Sequence, residues 1–114
     1  MARELRARGW TVHLIAEYYD NDGQDVLDEE WISEGTANGW HLLTKDAAIR
    51  RRDHEAVAVG DGMLFTLARQ NLRALDMVEL LERHRNRILR LIAAGEPGIY
   101  VIRQSEVTKY TRPR

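Results

Sequence analysis

Residues 25–46 read DVLDEEWISEGTANGWHLLTKD, and the remainder of the chain is best understood from this stretch outward. It spells one amphipathic helix, a glycine turn and one short buried strand. Plotted at 3.6 residues per turn, Leu27, Trp31, Ile32 and Gly35 share one arc, while Glu29 and Glu30 point away from it toward water. Asp28 falls inside the arc. A charged group on the inward face of a helix costs several kcal/mol unless something pairs with it, so Asp28 asks for a partner. From Trp40 to Thr44 the chain is apolar at its centre and then switches to Lys45 and Asp46. In open parallel sheets the functional crevice lies outside the carboxyl ends of the strands, and Asp46 stands at such an end. Spacing alone leaves a second reading open for both acids: Asp28 also suits a first-turn acid on the helix dipole, and Asp46 an N-cap of the helix that follows.

Upstream, Ala2 to Arg8 reads as a helix closed by Gly9, and Trp10 to Ile15 (WTVHLI) as a strand rich in apolar and β-branched residues. This is the second half of a β-α-β unit without its first strand, so the domain reads as N-terminally truncated. Residues 16–25 are polar, carry Gly23, and form a loop. Counted from Tyr18 this loop mimics a calcium-binding EF-hand, but Tyr18 stands where the first carboxylate is needed and Asp25 where an apolar residue belongs.

Downstream of Asp46 a helix runs from Ala47 to about Val59, opened by Arg50, Arg51 and Arg52, and Gly60-Asp61-Gly62 makes a turn. Met63 to Leu67 (MLFTL) is a strand. The longest helix spans Asp76, a good N-cap, to Ala94, with Met77, Leu81, His84, Ile88 and Leu91 on its apolar face. Gly95 stops it, and Gly98 to Ile102 (GIYVI) is the next strand. Arg83, Arg87 and Arg90 form a stripe on that helix that reads as a solvated face, and residues beyond Tyr110 as a frayed end. Alternating helices and strands specify an α/β layer fold with a mostly parallel sheet, as a single domain over residues 1–110 with a basic tail at 111–114.

The 114 residues suffice for one core. No apolar run approaches the roughly 20 residues that cross a membrane, and the charged opening MARELRARGW is no signal peptide. With no cysteine there are no disulfides, thiolate nucleophiles or cysteine zinc sites, and a reducing cytoplasm is the expected setting. The four histidines show no H-x-x-x-H spacing, and no P-loop motif is present. Net charge is only −1, yet it is divided unevenly: residues 17–44 hold eight acids and no Lys or Arg, whereas residues 47–114 hold thirteen basic residues against eight acids.

The order D-E-E-W-I (28–32), L-L-T-K-D (42–46) and I-R-R-R (49–52), followed by Gly62 to Leu67, the loop at Asn71 and a long helix before a final strand, resembles the compact PIN-like domains related to toxins of type II toxin–antitoxin pairs. The resemblance covers nearly the whole chain. It implies a three-layer PIN-like fold and metal-dependent cleavage of RNA by a cluster of acids holding Mg²⁺ or Mn²⁺. Carried onto this chain, Asp28 and Asp46 become the catalytic, metal-holding acids, with Glu29 in the metal set and Asp25 beside it. Thr44, Lys45 and Asn71 support the loops, and Arg50, Arg51 and Arg52 contact RNA at a helix start, where charge and helix terminus both favour phosphate. Mg²⁺ keeps several waters and needs only one or two direct carboxylates, so two aspartates suit it.

Relatives in that family also carry an acid at the end of a first strand, for which this chain has no counterpart. Two functions are therefore expected to compete. One is an endoribonuclease toxin restrained by an antitoxin protein; the other is a catalytically degenerate PIN-like module that acts through protein binding. A sheet edge left open beside Trp10 to Ile15 would recruit another chain, which makes a homodimer the expected assembly.

Overall fold

The computed structural model describes residues 2–14, 18, 28–44, 60, 62–68 and 72–110. Within them run helix α1 (Ala2–Ala7), helix α2 (Asp28–Ala37), strand β1 (Leu42–Thr44), strand β2 (Met63–Leu67), helix α3 (Ala74–Arg83), helix α4 (Arg85–Ala94), strand β3 (Gly98–Ile102) and strand β4 (Val107–Lys109). The sheet has the order β1-β2-β3-β4. β1 and β3 both run parallel to β2, and β4 folds back antiparallel on β3. This is the expected α/β architecture with a mostly parallel sheet, consistent with a PIN-like fold.

Alternation along the strands sorts the core onto two faces. Met63, Phe65 and Leu67 of β2, with Tyr100 and Ile102 of β3, pack against Leu5 of α1, Met77, Val78 and Leu81 of α3 and Ile88 of α4. Leu64 and Ile99 point the other way and meet Leu42 and Ile32, the latter fully buried on α2. Three layers result, with α2 the helix on one side among the described residues. β2 is buried at every position, which is why a short, unbroken apolar run reads as a central strand.

Two helices end in the same way. Gly9 and Gly39 adopt φ of 88° and 75°, a left-handed conformation that costs glycine little. After α1, Trp10 N donates to Leu5 O at 3.0 Å and Gly9 N to Arg6 O at 3.1 Å; after α2, Trp40 N donates to Gly35 O at 2.9 Å and Gly39 N to Thr36 O at 3.0 Å. Each pair is a Schellman cap. Each launches a tryptophan and the extended chain beyond it.

Three expectations need correction. Residues 10–14 form no strand; the guanidinium of Arg6 donates to Val12 O from Nε at 3.2 Å, so a carbonyl that a ladder would use is held by a side chain. The long helix is divided at His84, whose backbone leaves helical geometry at φ −99° and ψ 10°. There the ring is drawn onto a hairpin, with Nε2 2.7 Å from Arg103 O and 3.2 Å from Gln104 O, so Nε2 carries the donated proton. Asp76 is not the N-cap; α3 begins at Ala74 after Arg73, and Asp76 sits in the first turn, where its charge favours the dipole. Residues after Ile102, to which the sequence reading assigns no element, return as β4, held by Arg103 N donating to Glu106 O at 2.8 Å. The expected helix over 47–59 lies outside the described residues.

Candidate functional site

The register aligns the carboxyl ends of three strands. Thr44 pairs with Thr66, Thr66 with Val101, and Leu67 with Ile102, while Ala68 N continues the ladder to Ile102 O at 3.0 Å. With neighbouring strands about 4.8 Å apart, Thr44 and the end of β3 stand roughly 10 Å from each other along one rim.

The helix that precedes β1 ends up level with this rim. From Asp28 to Gly39 a helical rise of about 1.5 Å per residue gives roughly 16 Å. Gly39 reverses the chain, and five residues at about 3.3 Å each bring it back the same distance, to Thr44. α2 and β1 lie against each other along this return. A β-carbon at Gly35 would collide with Leu42 Cδ2, so the helix and strand meet here with the Leu42 side chain seated against the glycine, and any side chain at 35 would require that methyl to move. The start of α2, with Asp28, and the end of β1, with Thr44, are thereby brought to the same end of the molecule.

Among the predicted site residues, Thr44 is half-buried at the end of β1, and Asp28 and Glu29 open α2. Asp25, Lys45, Asp46, Arg50, Arg51, Arg52 and Asn71 lie outside the described residues. Among the described residues no three His, Asp or Glu side chains converge on a point that would hold a metal. The acids named from the sequence are all hard oxygen donors, the ligand type that Mg²⁺ and Mn²⁺ take.

The other end of the rim is built by long-range contacts. Arg83 Nη1 donates to Gln104 O at 3.3 Å and to Gln104 Oε1 at 3.0 Å, and Arg103 Nε reaches Thr108 Oγ1 at 3.5 Å. With His84 holding the Arg103 carbonyl, two exposed arginines are fixed where β3 ends.

At the opposite, amino-terminal end of the strands the features are structural. Lys109 Nζ donates to Glu96 Oε1 at 2.6 Å, and this bond raises the Lys109 pKa from its ordinary 10.5. Tyr100 Oη donates to Glu96 O at 2.7 Å, and burial, reinforced by the Glu96 charge, pushes its phenol above 10.0. Nearby, the rings of His13 and Trp40 stack at 4.2 Å, with Tyr18 at 5.1 Å from Trp40 and its hydroxyl 2.8 Å from His13 Nδ1. They border an apolar groove of about 650 Å³ between residues 10–14, β1 and α4. Sequence reasoning missed this cluster; the repeated Gly-Trp pairs at 9–10 and 39–40 are the signal that would have found its origin.

No helix among the described residues is long and apolar enough to cross a membrane. No curated protein and no solved structure matches the chain. A family model described as PIN like domain matches residues 1–69, which take in α1, α2, β1 and β2 and every candidate acid named above. With more than half of its length matched by that model, and with the layered, mostly parallel sheet just described, the chain belongs to the PIN-like domain family.

Proposed function

We propose that this protein is a metal-dependent endoribonuclease whose carboxylates gather where α2 begins and β1 ends. Membership of the PIN-like family points to nuclease-type chemistry on nucleic acid. The observation that carries the finer reading is the reversal at Gly39, which returns Thr44 to the level of Asp28, two residues before Asp46 in the sequence. This return supports a reading in which the acid that opens α2 and the acid that follows β1 act together.

Asp28 and Asp46 would hold Mg²⁺ or Mn²⁺ directly or through water, with Glu29 and Asp25 beside them. A bound divalent ion would polarise the phosphodiester and lower the pKa of a water molecule. The chain's own part is then to supply negative charge at fixed positions and to orient the RNA. Thr44 fixes the end of β1, Lys45 and Asn71 brace the adjoining loops, and Arg50, Arg51 and Arg52 bind backbone phosphates. The compact form and the D-E-E-W-I and L-L-T-K-D segments support the further reading that the enzyme is the toxin of a type II pair, restrained by an antitoxin protein.

Metal binding tests the acid pair without depending on turnover. Titrating the protein with Mn²⁺ and following the free-ion signal by electron paramagnetic resonance should show a site that Asp28→Asn and Asp46→Asn each weaken at least tenfold. Equal Mn²⁺ affinity in wild type and both variants would rule the pair out as the metal ligands.

A further inference from the structure

Among the described residues, Arg83, Arg87 and Arg90 form no ion pair with a carboxylate. Two ion pairs are formed among the described residues, Arg85–Glu82 at 3.4 Å and Lys109–Glu96 at 2.6 Å. Arg83 instead donates to Gln104, and Arg103 to Thr108. Arg87 and Arg90 are exposed and form no ion pair among the described residues, and α4 contains three arginines and no Asp or Glu. Glu82, next to Arg83 in sequence, pairs with Arg85 instead, and Glu79 one turn before Arg83 and Glu106 in the hairpin are exposed and pair with neither Arg83 nor Arg103. A solvated helical face ordinarily intersperses both signs and forms i,i+4 pairs. This one does not.

Position gives the charges a direction. Arg83 ends α3 and Arg87 and Arg90 follow on α4 just beyond the His84 junction, so the three lie within roughly 10 Å along the helices, all exposed while Ile88 is buried. At its upper end the stripe meets Arg103, because His84 ties the helix junction to the hairpin carbonyls. That end is the carboxyl rim of β3, two strands from Thr44. All four residues are arginine, whose planar fork matches a phosphate better than an ammonium does.

We propose that Arg83, Arg87, Arg90 and Arg103 form a phosphate-contacting track that leads the backbone of single-stranded RNA to or from the rim. The proposal rests on the ribonuclease reading and extends it, assigning a binding surface remote from Arg50, Arg51 and Arg52. The track contributes affinity and register, not sequence preference, since phosphates carry no sequence information.

The test is the salt dependence of binding to a fluorescein-labelled single-stranded 12-nucleotide RNA, measured by anisotropy in EDTA between 50 and 200 mM salt. Arg87 and Arg90 form no hydrogen bond or ion pair among the described residues, so Arg87→Gln/Arg90→Gln should fold as wild type, checked by its circular dichroism melt. Each phosphate contact on single strands contributes about 0.7 to the slope of log K against log salt. The double variant should therefore lose about 1.4 from the slope and bind roughly tenfold or more weakly at 50 mM salt, with Arg87→Lys/Arg90→Lys restoring most of the slope. An unchanged slope in a protein that binds and cleaves RNA would overturn the track while leaving the nuclease reading in place. Wild type that neither binds nor cleaves RNA would overturn both. Loss of poly-glutamate binding with RNA binding intact would also overturn the track, assigning the stripe to an acidic protein partner.

Discussion

Gly35 shows how one residue sets the distance between the candidate acids' two supporting elements. It is buried on α2, and the space a side chain would fill belongs to Leu42. Alanine at 35 would gain up to about 1 kcal/mol of helix propensity. It would also force the buried Leu42 side chain off its rotamer or push α2 away from β1, at a cost of about 1–3 kcal/mol. We expect Gly35→Ala to be destabilised by about 1 kcal/mol net in urea denaturation, and Leu42→Val to recover part of that loss in the double variant. Stability equal to or above wild type would mean that the helix and strand are not in tight contact here. Because the substitution shifts α2 against β1, it should also weaken Mn²⁺ binding without touching an acid.

Elements that depend on local sequence were legible, and those that depend on distant partners were not. Met63–Leu67 and Gly98–Ile102 match their predicted limits residue for residue, since each is an apolar run bounded by glycine or polar residues. β1 begins two residues later than Trp40 because the Trp40 amide is spent on Gly35 O in the helix cap. The break at His84 requires a hairpin some twenty residues further on, and β4 is a three-residue, partly polar strand that exists only because β3 offers an edge. Trp10–Leu14 has strand-forming residues, but a strand is a pairing and not a composition. Of the candidate site, the order of helix, glycine turn and strand was readable in residues 25–46, and the structure accounts for the level return of Thr44. Arg83, Arg87 and Arg90 are exposed, as a solvated face requires, but the i,i+4 partner that Glu79 offers Arg83 in the sequence is replaced in the folded chain by Gln104.

The β3–β4 hairpin also carries a pH dependence. Tyr100 and Lys109 both have pKa values raised by the fold, from 10.0 and 10.5. For groups whose folded pKa lies above the unfolded one, the stabilisation is fully present below the unfolded pKa and is lost as pH rises through the folded value. Thermal stability should therefore hold to about pH 9.5 and then fall through pH 10 to 11. In Tyr100→Phe the decline should be shallower, since only the Lys109 contribution is left, while stability at pH 7 drops by about 1 kcal/mol with loss of the bond to Glu96 O. A melting temperature in Tyr100→Phe that falls as steeply as in wild type would assign the alkaline transition to other groups.

At the scale of the whole molecule, one sheet has two unlike ends. The amino-terminal end is closed by Glu96, Tyr100 and Lys109 and bordered by stacked aromatic rings. The carboxyl end gathers the start of α2, the end of β1 and the arginines of the β3 hairpin. The uneven division of charge along the sequence thus becomes a division in space, with acids at the opening of α2 and uncompensated arginines on α4. A polyanion drawn to the arginines and cut beside the acids is the behaviour such a distribution suits.

The measurement that tests this most directly is cleavage of a fluorescent single-stranded RNA by the purified 114-residue chain and by its Asp46→Asn variant, each with Mn²⁺ and with EDTA. The account predicts Mn²⁺-dependent cutting by the wild type, abolished by EDTA, and a loss of at least a hundredfold in the variant at unchanged melting temperature. A folded wild type that leaves the RNA intact with Mn²⁺, or a variant that cuts as fast as wild type, would contradict it.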